Sequence, residues 1–146
     1  MRKRAKCLCV AAGVMLGVPA GAEQWFTVAS PGSDAAASRV EVDLDSIRAR
    51  GQIGESIIRV TFDAPQPHSA GFGYRSFVAS AQFDCQRRNI SLSGAAYYAQ
   101  PDGNGSPLGT DRPARGAGTP LALLDSIPAA ARRALLRATC AAASAN

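Results

Sequence analysis

From residue 23 onward, apolar and polar side chains alternate in short runs that turn signals keep breaking. A period of two is what a half-buried β-strand requires, since successive side chains point to opposite faces. "EQWFTVAS" (23–30) reads as a first strand and "PGSDAAAS" (31–38) as turn and loop. In "SRVEVDL" (38–44), Val40, Val42 and Leu44 face one side, with Arg39, Glu41 and Asp43 on the other. "DSIRARG" turns back, and the β-branched run "GESIIRVTF" (54–62) predicts a third strand. That strand is expected to stop at "DAPQPHSAGFG", where Pro65 and Pro67 cannot donate to a ladder. "GYRSFVASAQFDC" (73–85) predicts a long fourth strand, in which Cys85 shares a face with Phe77 and Phe83. "NISLSGAAYYA" (89–99) predicts a fifth, "QPDGNGSP" a hairpin loop, and about 105–110 a weak sixth. Residues 111–120 read as irregular.

The period then changes. "IPAAARRALLRATCAAA" is rich in Ala and Leu, carries Pro128 where an opening turn tolerates it, and predicts a helix. Ala131, Leu135 and Ala138 form an apolar stripe, with Arg132, Arg133 and Arg137 roughly opposite. A regular helix puts Cys140 on the Leu136 side, among the arginines. Either that side faces a sheet, or the last turn is distorted; the sequence leaves both open. Strands followed by one helix predict an α+β fold: a single antiparallel sheet of five or six strands, with one C-terminal helix packed on one face. No repeat or linker argues for a second domain, so 23–146 is expected to be one.

The first 22 residues change the charge picture. "MRKRAKCLCVAAGVMLGVPAGA" has a basic head, an apolar stretch and small residues at Ala20 and Ala22, the layout of a secretory signal cleaved before Glu23. About 12 apolar residues fall short of the roughly 20 that span a bilayer. Cys7 and Cys9 lie at the start of that stretch, where no lipid attachment is expected. The formal net charge of +5 drops to about +1 once the leader is removed, with 12 arginines against 11 acids. A near-neutral chain excludes a nucleic-acid or anionic-membrane partner on charge grounds. Two cysteines remain, Cys85 and Cys140. An even pair in an exported chain is most simply a disulfide. The crosslink would pin the helix to the sheet.

Little else points to chemistry. His68 is the single histidine. It sits in a Pro-rich loop and is expected to be solvated; alone, it cannot begin a multi-histidine zinc site. Asp43 and Asp45 resemble the start of a calcium loop, but Ile47 and Arg48 stand where an oxygen ligand and a glycine belong. No catalytic residue, metal or cofactor is nominated. Arg87 and Arg88 after Cys85, and the pair Tyr97 and Tyr98, are the candidate binding residues. Adjacent strand residues face opposite ways, so one tyrosine packs while the other is exposed. An exposed Tyr beside Arg87 or Arg88 suits protein recognition. Cross-strand packing and pairing with Asp84 account for the same residues without it.

Trp25, "VDLDSIR" (42–48), "YRSFVASAQFDCQRR" (74–88), "AAYY" (95–98) and Cys140, in this order, resemble the surface-adhesin protein E family over about residues 24–140. The most specific parts are Asp43 with Ser46 and Ile47, Ser76, Asp84-Cys85 with Arg87, and the terminal cysteine. The resemblance implies an antiparallel sheet with a C-terminal helix held by Cys85–Cys140. It also implies a non-enzymatic role in attachment to host cells and extracellular-matrix proteins, with homodimers as an available assembly. The chain departs from the family at Phe62, where Trp is expected. Its 63–73 loop lacks the family's charged residues, and it has no lipid-anchor cysteine. The resulting expectation is an exported protein-binding module of the periplasm or cell surface, without stable membrane insertion. Its partner would be host matrix or an envelope protein. The alternative is a periplasmic enzyme inhibitor or small hydrolase working through residues 63–73 or 100–120.

Overall fold

The computed structural model describes residues 23–29, 37–112 and 121–144. The expected signal at 1–22 lies outside the described residues, as does most of the predicted 31–38 loop. Seven strands form one antiparallel sheet: β1 (Trp25–Ala29), β2 (Ala37–Asp43), β3 (Arg48–Arg50), β4 (Ile53–Pro67), β5 (Gly73–Asp84), β6 (Asn89–Tyr98) and β7 (Gly109–Asp111). Helices α1 (Leu121–Asp125) and α2 (Ala129–Ser144) follow. Along the sheet the order is β1-β2-β4-β5-β6-β7, with β3 pairing β4 beyond the end of β2.

This corrects the expected count of five or six strands. The additional strand is Arg48–Arg50, read from the sequence as part of a turn. A three-residue strand shows no alternation long enough to register. Its neighbour β4 also runs past Phe62. The ladder to β5 shifts between Thr61 and Gln66 and resumes as Gln66↔Tyr74 and Pro67↔Gly73. Pro65 falls within that irregularity and Pro67 is the last residue of the strand, so the ladder ends at the second proline rather than before the first. The weak sixth strand shrinks to Gly109–Asp111.

Register explains the core. Val40, Val60, Phe77 and Tyr97 lie directly across from one another on four adjacent strands, and Val42, Ile58, Ala79 and Ala95 form the next row. All eight are buried, and together they make one apolar face. Helix α2 lies on it. Ala131, Leu135 and Thr139, spaced by four, are each fully buried. The stripe therefore ends on Thr139 rather than Ala138. Leu136 and Cys140 sit on its flank, half-buried and packed against the core. Both halves of the sequence dilemma are answered: Leu135 faces the sheet, and a regular final turn still presents Cys140 to Cys85. The disulfide joins them, with Cα atoms 5.7 Å apart.

Gly54 marks the crossing point. A Cβ there would lie 2.8 Å from Thr139 Cγ2, so the strand has no side chain where the helix comes nearest. Pro128 accepts the first helical bond from Arg132 N–H at 2.9 Å. As the N-cap it needs no donor of its own.

Candidate functional site

The face of the sheet opposite α2 is divided between a covered half and an open one. The 3-10 turn Pro101–Gly103 covers the first half. Ser76 is fully buried beneath it; its hydroxyl donates to Gln100 O at 2.6 Å and accepts from Gly103 N–H at 2.9 Å. Thr61 Oγ1 donates to Asp102 Oδ1 at 3.1 Å and accepts from Asp102 N–H at 3.3 Å. Arg39 also bonds Asp102 Oδ1. Arg59 donates to Glu41 Oε2 at 2.8 Å and to Asp102 O at 3.0 Å, with its guanidinium 4.2 Å from the Trp25 ring centroid. Two arginines and two carboxylates balance. Asp102 takes φ 62°, a region that Asp tolerates better than most residues. Gly103 follows at φ 68°, and a Cβ there would lie 3.0 Å from Val78 Cγ2. These contacts clamp a loop to the sheet.

The open half is a shallow trough over β4, β5 and β6. One depression of about 400 Å³ is lined by Ile57, Val78, Ser80, Gly94 and Ala96, among others, with Arg112 at the rim. A second of about 390 Å³ adds Arg48, Glu55 and Gln82. They share Ile57, Ser80 and Ser93, so they are continuous. Ile57 is 37% exposed here. Small side chains on the strands keep the floor low, and opposite charges stand around it.

A third cluster overturns the expectation for His68. Its ring stacks on Phe72 at 4.3 Å, lies 4.5 Å from the Tyr97 ring, and contacts Asp111 Oδ2 through Nε2 at 3.3 Å. The side chain is only 13% exposed, so it is not a solvated loop residue. Tyr97 O–H donates to the same Asp111 oxygen at 2.8 Å. Burial, and then this bond to a carboxylate, push the Tyr97 phenol above its ordinary range; the bond in turn holds Asp111 below the usual carboxylate range. Tyr74, 4.9 Å from Tyr97, is likewise raised by burial and by Asp111. Sequence reasoning missed this cluster. The expected hairpin has its sixth strand at about 105–110; the strand runs one residue further and places Asp111 opposite Ala95, one diagonal step from Tyr97.

The four candidate binding residues are not brought together. Arg87 and Arg88 are exposed in the β5–β6 turn, while Tyr97 and Tyr98 lie at the far end of β6, about 30 Å along the strand. Tyr97 is buried and Tyr98 half-buried on the other face. Arg87 pairs with Asp84, whose Oδ1 accepts its N–H at 2.8 Å.

The residues carrying the resemblance now have roles. Ser46 Oγ donates to Asp43 O at 2.7 Å and accepts from Ile57 N–H at 2.8 Å, pinning the crossover from β2 to β3. Ser76 holds the loop, Asp84 shapes the β5–β6 turn, and Cys85 reaches Cys140. The surface-adhesin protein E family model matches residues 25–141, four-fifths of the chain. The chain belongs to the surface-adhesin protein E family. Among solved structures it resembles crystal form II of Haemophilus influenzae protein E, at 15% identity and a TM-score of 0.52, over 82% of this chain and 98% of that one. Another structure of Haemophilus influenzae protein E aligns at 13% identity and a TM-score of 0.46, over 84% and 97%. No curated protein matches in sequence. Surface-adhesin protein E membership implies an exported protein with an adhesin-like role. No helix among the described residues is long and apolar enough to cross a membrane.

Proposed function

We propose that the chain is an exported, non-enzymatic protein-binding module whose contact surface is the open half of the helix-free face. The leader at 1–22 would direct it to the periplasm or cell surface, where an extracellular-matrix protein or an envelope protein is the partner. One observation carries the choice of surface: a trough with Ile57 and Ala96 open on its floor and Val78 at the edge of the covering turn, on three adjacent central strands, shallow and rimmed by both charges. Such a surface suits another protein better than a small substrate, which concave, enclosing pockets hold. Family membership supplies the prior for adhesion.

The test places a charge on the floor. Ile57→Asp and Ser80→Arg should abolish capture of matrix proteins or of crosslinked envelope partners, with the melting temperature within a few degrees of the parent. Undiminished capture by both variants would remove the assignment. Surface protease accessibility in intact cells then chooses the partner: protection would move it from host matrix to envelope.

A hydrolase reading has one observation in its favour, since His68 and Asp111 come from the two segments, 63–73 and 100–120, proposed for it. Both groups, however, are engaged with aromatic neighbours and with Tyr97. Turnover of ester, glycan or peptide substrates that disappears with His68→Ala would establish that reading instead.

A further inference from the structure

On the opposite side of the molecule, between the β5–β6 turn and the helices, lies a notch of about 340 Å³. Ile90, Leu124 and Leu136 make its floor, and Arg88, Arg132 and Arg133 stand around it. Among the described residues, the only acid in its lining is Asp125, 73% exposed and in loose contact with Arg132 at 3.9 Å. Arg88 and Arg133 have no ion-pair partner among the described residues. We propose that this notch binds a peptide segment of a partner protein that carries carboxylates beside an aliphatic side chain.

Three features support the assignment. The charge is local: the formal charge of +5 falls to about +1 without residues 1–22, yet unpaired guanidinium groups concentrate around one apolar floor, whereas a membrane or nucleic acid calls for a broad positive field. Guanidinium forks engage carboxylates through paired, charge-assisted bonds, while the floor takes the apolar neighbour. Arg88 also holds φ 54°, a left-handed conformation that favours Gly or Asn. A long side chain stands there against local preference, and it points to a use for the guanidinium. The walls are prespaced as well. Arg88 lies three residues past Cys85 and Leu136 one helical turn before Cys140, so the disulfide fixes one wall against the other. A preformed site loses little freedom on binding.

The probe is the capped peptide acetyl-Gly-Leu-Glu-Leu-Glu-Gly-amide, titrated into the oxidised, exported protein by calorimetry, with amide shifts followed by NMR. Saturable binding is expected, with shifts confined to residues 88–90 and 124–136. Replacing both Glu with Gln in the peptide should weaken it roughly tenfold, the scale of a lost charge-assisted pair. Arg88→Gly suits the left-handed turn and leaves folding intact, so its weakened binding reports on the side chain alone; Arg133→Ala should act the same way. Equal affinity for the Gln peptide, or unchanged affinity in Arg88→Gly, would overturn the proposal. So would binding to phosphatidylglycerol-containing vesicles in the absence of peptide binding.

Discussion

Tyr97 illustrates how one side chain can serve two neighbours. Its ring completes the row Val40–Val60–Phe77–Tyr97, while its hydroxyl reaches out to Asp111, which His68 also contacts. Because the fold depresses Asp111, its contribution to stability is present above the ordinary carboxylate range, roughly pH 4, and is lost as pH falls through the lower folded value. Tyr97→Phe removes the largest cause of that depression. Asp111 is 40% exposed and screened by solvent, so the expected loss at pH 7 is about 1 kcal/mol rather than the upper range for charged bonds. Urea denaturation at pH 7 and below pH 3 checks this: the gap between parent and variant should narrow in acid. A gap that is constant with pH would show the hydroxyl acting through packing alone.

At the level of elements, the helix on the sheet was legible because its signals are local. The change from period two to period four at residue 129, the Ala-Leu content and Pro128 all fall within a few residues of one another. What stayed hidden was relational. Gly54 reads as an ordinary turn-proximal glycine until Thr139 is known to lie over it, and Thr139 reads as a helix-weakening residue until its methyl is seen to fill the gap. Gly54→Ala should cost about 1–3 kcal/mol, the range for overpacking a filled site. Thr139→Ser removes the clashing methyl and should recover part of that loss, a coupling that a double-mutant cycle by thermal unfolding will measure. The Asp102 clamp was hidden for the same reason. Arg39, Glu41, Arg59, Thr61 and Ser76 all appear as outward-facing polar strand residues, and only the strand order gathers them under one turn. His68 was misread because Phe72 and Tyr74, around the start of β5, and Tyr97, on β6, enclose it from two segments.

For the molecule as a whole, the disulfide is the one covalent link between layers among the described residues. It closes a loop of 55 residues that contains all of β6 and β7 and most of the helical segment. Restricting the unfolded chain over that length contributes about 4 kcal/mol in the chain-entropy account, so Cys85→Ala with Cys140→Ala should lower stability by up to that amount. Chemical denaturation of the double variant measures it, and a loss below about 1 kcal/mol would mean that packing alone seats the helix. The residues that place this chain in its family are the ones that set turns, crossovers and the crosslink. Membership therefore speaks first about shape, and the partner must be sought on surfaces outside those residues. The order of the chain has a further outcome. All seven strands precede the helices along the chain, so Phe77, Val60 and Ile58 form a face with nothing over it until residues 121–144 reach it, wherever the chain folds. A chain truncated near residue 120 would keep that face bare and pass to chaperones or proteases, so the last element to arrive decides whether the molecule escapes them.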